Sequence, residues 1–343
     1  MKRRKITGWI LIALSLWLTV LLVCSMLGPV PISVSDVLRL WQEKLMFGAS
    51  VPAAGSSLSK FEVVYWQIRL PRLILATLTG MALASTGTAF QSVFRNPMAD
   101  PYVLGISSGA SLGAALAIVA GLESTVLGIT GMAFLFSIGS LALVFTIASR
   151  TGKISSNVLL LAGVAMSFLS TAVVSLLLFL HRDKVEQIVF WTLGGLNAAN
   201  WNQIQFLIPV VLAGSAVIFY YARHLNIMLL GADTAKNLGV QTNRTILWVM
   251  LASSFMVAVV VSNTGVIGFV GLIIPHIIRF ITGPDNRKII PLSVIAGAIF
   301  LMISDTVART LASPSELPVG SITALAGVPY FLFLLYQSQK RSV

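Results

Sequence analysis

Residues 72–113 read RLILATLTGMALASTGTAFQSVFRNPMADPYVLGISSGASLG, and they decide the fold. No charged residue stands between Arg72 and Arg95. A helix needs about 20 apolar residues to cross the hydrocarbon core of a bilayer, so this run reads as one crossing. Asn96-Pro97 and Asp100-Pro101 follow, and two Xaa-Pro steps this close together prevent a continuous helix. Broken backbone near a membrane is tolerated only where protein or a water-filled cavity satisfies its polar groups. A second crossing then begins, dense in small residues: Gly105, Ser107, Ser108, Gly109, Ala110, Ser111 and Gly113. Small faces let helix backbones approach closely, which is how membrane bundles pack without a hydrophobic drive.

The whole chain repeats this pattern. Of its 343 residues 57% are hydrophobic and 10% charged, and the mean hydropathy is +0.91. Soluble domains carry roughly a quarter charged residues, so an ordinary soluble fold is excluded. Membrane β-barrels are excluded as well, because the apolar runs lack period-2 alternation. The reading is an all-α polytopic membrane protein of about ten transmembrane helices, a single domain over residues 1–343. Crossings fall at about 8–28, 71–93, 104–121, 126–149, 155–180, 203–222, 245–262, 267–281, 289–307 and 320–337. The start, Lys2-Arg3-Arg4-Lys5 before an apolar stretch to about Leu27, resembles a signal peptide but lacks a small-x-small site, so it is read as a retained first helix. Cys24 is the one cysteine, which precludes an internal disulfide, and the bulky Val23 before it disfavours lipidation.

Loop charges test the count. With ten crossings both termini share a side, and that side carries fifteen Lys or Arg against Asp100, Asp233 and Asp285. The other side carries eight of each sign, so the whole net charge of +12 lies on the side of the termini. The positive-inside rule places that side in the cytoplasm and the chain in the cytoplasmic membrane. The basic residues sit between apolar runs rather than on one soluble face, which argues against nucleic acid as a partner.

The connections leave no room for a soluble catalytic domain. The longest outer one, about 29–69, mixes Gly, Ser and Pro with an amphipathic stretch that suits the outer surface. The longest inner one, Arg223 to Arg244, contains GADTAKNLGV from Gly231 to Val240, a short polar helix ending at Gly239. Its pattern fits either an interfacial helix or a docking element. Gly265, Gly268, Gly271 and Pro275 mark a second interrupted zone.

Several chemistries are missing. Gly152-Lys153 is followed by Ile154 and lacks the upstream glycine of a phosphate-binding loop, so the chain is not expected to hydrolyse ATP. His181, His224 and His276 fall at different membrane levels, which disfavours a metal site. No G-x-S-x-G elbow is present. No Asp, Glu, Lys or Arg falls near the midplane, where ion-coupled carriers keep ionisable groups. Asp305 and Arg309, four apart, share a helical face near the outer end of the ninth crossing, as do Arg69 and Arg72 at the start of the second. A structural salt bridge would account for the first pair and snorkelling to headgroups for the second.

At this point the residues resemble the FecCD-type permease subunits of ABC importers for iron-siderophore, haem and cobalamin. The resemblance runs from about Arg69 to Leu335 and rests on motifs in order. They are RLPR (Arg69 to Arg72), Gln91, RNPMADPYVLG (Arg95 to Gly105), Gly109-Ala110 and LLLAGVA (Leu159 to Ala165). W-x-x-G-G (Trp191 to Gly195) and GADTAKNLGV come next. The series closes with GVIGFVGLIIPHIIR (Gly265 to Arg279), DTVAR (Asp305 to Arg309) and ELPVG (Glu316 to Gly320).

The resemblance implies a non-enzymatic ten-helix permease pairing with a second copy around a central pathway. Two ATP-binding subunits below would use ATP and Mg, and an extracytoplasmic substrate-binding protein would dock above; this chain would hold no cofactor. It implies that Arg69, Arg72 and Arg309 face outward to meet acids of the binding protein. It makes the loop at about 226–243 a coupling helix, with Gly231, Ala232, Asp233, Ala235, Leu238 and Gly239 at the ATPase. Asn96 and Met98 match a loop near the inner mouth, and Ser155 and Ser156 the start of a gate-lining fifth helix. The rival readings are an ion-coupled secondary transporter without an ATPase, and a channel or membrane scaffold.

Overall fold

The structure, a computed structural model, describes all residues except 1, 31, 48–60, 123, 124, 126, 127, 150–155 and 341–343. Among the described residues all regular structure is helical. Helix α1 (Lys2–Met26) and the amphipathic α2 (Val34–Phe47) precede a π-helical turn, Val64–Arg69, that runs into α3 (Leu70–Val93). After a 3₁₀ turn, Pro101–Leu104, come α4 (Ile106–Val119), α5 (Gly128–Ser149), α6 (Ser156–Leu180) and the short α7 (Val185–Thr192). Then follow α8 (Trp201–Tyr220), α9 (Ala222–Met228), α10 (Ala232–Asn237), α11 (Thr242–Thr264) and α12 (Val270–Thr282). The series ends with α13 (Asn286–Leu311) and α14 (Val319–Lys340).

Seven of these helices are long and apolar enough to cross a membrane, and α4, α12 and α14 are shorter apolar helices, among the described residues. Together they occupy the ten expected crossings. The expected third and eighth crossings start later than read, at Ile106 and Val270, because each interrupted zone keeps its backbone out of the helix that follows. Helices α7 and α9 were not anticipated. In the outer connection, α2 lays Val37 and Leu40 on Tyr65, Trp66 and Leu70 of the π-helical turn and the start of α3. The Trp41 Nε1–H donates to Tyr65 Oη at 2.9 Å.

The core is built around α3, most of which is buried, and α13 makes the most extensive contact with it. Glycine sets how close they come. A methyl group at Gly80 would land on the Gly297 carbonyl of α13, and one at Gly87 on the Gly271 carbonyl of α12. The two glycines of α3 stand seven apart, two helical turns, so one face admits both neighbours. Backbone-to-backbone approach maximises dispersion contact where lipid tails compete as well as any apolar side chain.

Gly87→Ala is expected to cost about 1–3 kcal/mol through overpacking, seen as a lowered melting temperature in detergent. Gly139→Ala, whose added carbon would meet nothing within 4 Å, should melt like the parent. Equal melting of the two variants would refute the close-approach account.

Candidate functional site

The arginines expected to face outward meet at the end of the bundle where α1 ends and α3 begins. They are turned inward. Arg69, Arg72 and Arg309 are 3%, 6% and 4% exposed. Arg69 donates from Nη1 to the Ser25 carbonyl at 2.9 Å and from Nη2 to the Val30 carbonyl at 2.6 Å. Arg309 Nη2 donates to the Cys24 carbonyl at 2.7 Å. The last carbonyls of a helix have no intrahelical partner and sit at the negative end of its dipole, so two guanidinium groups cap α1 there. Arg72 Nε donates to both oxygens of Asp305, at 2.9 and 3.1 Å, and its Nη1 to Glu316 at 2.8 Å. Asp305 is fully buried and lies 3.7 Å from Arg309 Nε, so one carboxylate serves two arginines.

This corrects the outward-facing orientation. Helix-end carbonyls and a buried carboxylate offer these cations fixed acceptors within the chain. The i,i+4 ion pair of Asp305 and Arg309 is present, while snorkelling does not describe Arg69 or Arg72. Sequence reasoning missed that Arg72 is the main partner of Asp305, and nothing local signals a contact between different helices.

At the basic end the two interrupted zones satisfy one another. Tyr102 Oη donates to the Ile267 carbonyl at 2.9 Å. Gln91 Nε2 donates to the carbonyls of Gly271 and Leu272, both at 3.2 Å, and its Oε1 accepts from Arg279 at 3.0 Å. Asn96 and Met98 lie on the exposed loop between them, where Asn96 Oδ1 accepts the Met98 N–H at 2.9 Å. Asp100 accepts the Tyr102 N–H at 2.8 Å. Burial pushes the Asp100 carboxyl up to about 6, against the lowering effect of that hydrogen bond. Burial also raises the Tyr102 phenol. Ser156 opens α6, and Ser155 lies outside the described residues.

The GADTAKNLGV segment forms α10 with Gly231 before it. Gly239 has φ of +79°, the left-handed region that glycine enters without a Cβ penalty. Its N–H donates to Lys236 at 2.9 Å and the Val240 N–H to Ala235 at 2.9 Å, the paired bonds of a Schellman terminus. Ala235 and Val240 pack on Met228 of α9, while Asp233, Lys236 and Leu238 are exposed, Leu238 by 59%. Behind α10, Asn226 of α9 donates to Asp285 Oδ1 at 2.7 Å and accepts the Asn286 N–H at 2.8 Å. Ser92 of α3 donates to Asn286 Oδ1 at 3.1 Å.

Residues 14–337 match the model of the FecCD transport family. The chain belongs to that family. This FecCD protein is 42% identical to the "Cobalamin import system permease protein BtuC" of Halobacterium salinarum, over 82% of this chain and 76% of the relative. It is 40% identical to the "Hemin transport system permease protein HmuU" of Yersinia pestis, over 81% of this chain and 85% of that one. Among solved structures it is similar to a metal-chelate type ABC transporter in an inward-facing conformation. The TM-score is 0.82 at 30% identity, covering 98% of this chain and 99% of the other. The all-helical arrangement of the FecCD protein is thus that of a multi-pass membrane transport protein, with the arginine cluster at one end and the α9–α10 platform at the other.

The arginine cluster separates a buried from a half-exposed ion pair. Asp305→Asn leaves Arg72 and Arg309 without their shared charge and is expected to cost about 3–5 kcal/mol. Glu316→Gln should cost about 0–1 kcal/mol, because that carboxylate is 39% exposed. Melting temperatures in detergent check the order, and equal losses would contradict it.

Asp100 supplies a pH dependence. Because its carboxyl titrates at about 6 rather than 3.8, the stability it contributes is fully present below 3.8 and is lost as the pH rises through 6. Asp100→Asn keeps the acceptor for the Tyr102 N–H and should flatten that loss. Melting followed from about pH 4 to about pH 7 reads it, and a slope like the parent's refutes it.

Proposed function

We propose that this chain is the transmembrane permease subunit of a binding-protein-dependent ABC importer moving a metal chelate inward. Iron-siderophore, haem and cobalamin are the cargo class. The observation that carries the reading is α10, held rigidly from behind by the Ala235–Val240–Met228 cluster and presenting Leu238 outward. An exposed leucine flanked by Asp233 and Lys236 on a capped helix is shaped for a partner groove. The names of the relatives support the cargo class.

In this reading the basic end and both termini lie in the cytoplasm, and two ATP-binding subunits use ATP with Mg. Their closure pushes on Gly231, Ala232, Asp233, Ala235, Leu238 and Gly239. The push passes from α10 to α9 through the apolar cluster, and from Asn226 to Asp285 and Asn286 at the start of α13. Ser92 brings α3 into the same polar set. Helices α3 and α13 then tilt as one body, and the Asn96–Met98 loop at the end of α3 moves with them to open or close the inner mouth. Helix α6, which begins at Ser156, lines the pathway above that mouth.

At the other end Arg69, Arg72 and Arg309 bind α1, α3 and α13 into one block, on which the binding protein seats. Their part in docking is to position that rim. A second copy of the chain covers the apolar faces of α6 and α14, where Leu161, Phe168, Phe179, Leu325 and Phe333 are exposed. An isologous pair gives the pathway two-fold symmetry.

Co-purification with candidate ATP-binding subunits tests the reading, together with ATP hydrolysis in liposomes with and without a loaded binding protein. Leu238→Asp should weaken ATPase association by on the order of tenfold or more while the permease alone melts normally. Undiminished association would move the docking site off α10. If no ATPase binds the parent chain, the ion-coupled carrier takes first place.

A further inference from the structure

Two cavities join on the outside of the bundle close to its basic end. One, of about 420 Å³, is walled by Ala216, Val217, Tyr220, Tyr221 and Trp248. The other, of about 370 Å³, shares Tyr220, Tyr221 and Trp248 and continues to His224, Gly239 at the end of α10, Gln241, Arg244 and Thr245. Helix α8 approaches the basic end at Tyr220 and α11 leaves it at Thr242. Ala216 and Val217 therefore lie about one turn deeper than Tyr220 and Tyr221. Trp248 lies about one turn deeper than Arg244. The groove is apolar at depth and polar at its mouth.

The mouth is built for an anion. Helix α11 starts there, and its N-cap Gln241 supplies no side-chain capping bond, so its first-turn N–H groups lack that acceptor. Arg244 stands in this first turn with no carboxylate partner among the described residues. The half-exposed His224 lines the same cavity, its ring held edge-on to Tyr221 at 5.5 Å. The deeper wall is built for a chain: Tyr220 is 73% exposed and Trp248 53%. Aromatic rings of this kind collect at headgroup level, where an apolar body and a polar tip are both accommodated.

We propose that this groove seats an anionic phospholipid of the inner leaflet. Its phosphate lies at the α11 N-terminus between Arg244 and His224, and an acyl chain runs along Tyr220, Trp248 and Val217. The leaflet assignment rests on the orientation proposed above. The occupant is a lipid rather than a free anion because the apolar half of the groove is continuous with the anion-binding half. Its position is mechanically apt, since α11 begins directly after α10.

The purified full chain in neutral detergent, given equal phosphatidylglycerol and phosphatidylcholine and followed by native mass spectrometry, tests this. Phosphatidylglycerol should be retained preferentially, and Arg244→Gln should reduce its retention by about fivefold, the effect of one surface cation. Trp248→Ala should also reduce it. Arg287→Gln, an exposed arginine at the same end but outside the groove, should not. Both groove residues are themselves exposed, so these variants fold. Equal retention of the two lipids, undiminished retention by Arg244→Gln, or displacement by millimolar inorganic phosphate would each overturn the proposal. Retention in micelles reads the groove alone, so it is independent of whether an ATPase binds α10.

Discussion

A fully buried carboxylate shared by two arginines holds one end of this molecule together. Asp305 accepts both bonds from Arg72 Nε and lies within ion-pair distance of Arg309. Removing charges from water is costly, and attraction offsets that cost only where geometry is good and the remaining donors are satisfied. Here Glu316 and the carbonyls that end α1 engage further donors, while the buried Arg309 Nε has only the 3.7 Å ion pair with Asp305. The pair is thus less a stabilising ornament than a registry constraint. With the carboxylate in place α3 and α13 have one axial alignment, and α1 is fastened to both.

That alignment is what the glycines require. Gly80 faces Gly297 and Gly87 faces Gly271 only in one register, because a shift of one residue on either helix would put a side chain where bare backbone now sits. The polar cluster of Ser92, Asn226, Asp285 and Asn286 fixes the far ends of the same two helices. Helices α3 and α13 are therefore pinned by polar contacts at both ends and by close backbone contact between. Two helices so joined form one continuous packed unit that runs from the arginine cluster to the polar cluster.

Much of this was legible from residues alone, for identifiable reasons. The crossings are long apolar runs with few or no charges, and the asymmetry of Lys and Arg supplied an independent check on their number. The helix at Gly231 to Val240 was legible because its glycine sits where a left-handed terminus falls. The broken zones announced themselves through Asn96-Pro97, Asp100-Pro101 and the glycines after Gly265. That Tyr102 and Gln91 would satisfy one zone with the backbone of the other was not legible, because hydrogen bonds to carbonyls leave no trace in side-chain spacing. The same blindness produced the error over Arg69 and Arg309, whose acceptors are the backbone carbonyls at the end of α1. Short helices such as α7 and α9 lack enough turns for periodicity to register.

The ion pair also has a consequence for biosynthesis. Arg72 and Asp305 are separated by 233 residues, and chains elongate at about 5–20 residues per second, so α3 waits roughly 10 to 50 s for its counter-charge. Arg69 meets no such delay, since the carbonyls it caps, at Ser25 and Val30, are made before it. Placing Arg72 next to Pro71 at the very start of α3 lets its long side chain reach the headgroup layer in the interval. The cation is inserted wet and becomes dry only when α13 arrives, so a chain truncated before that point carries an unpaired charge at its rim, a mark by which quality control can recognise it as unfinished.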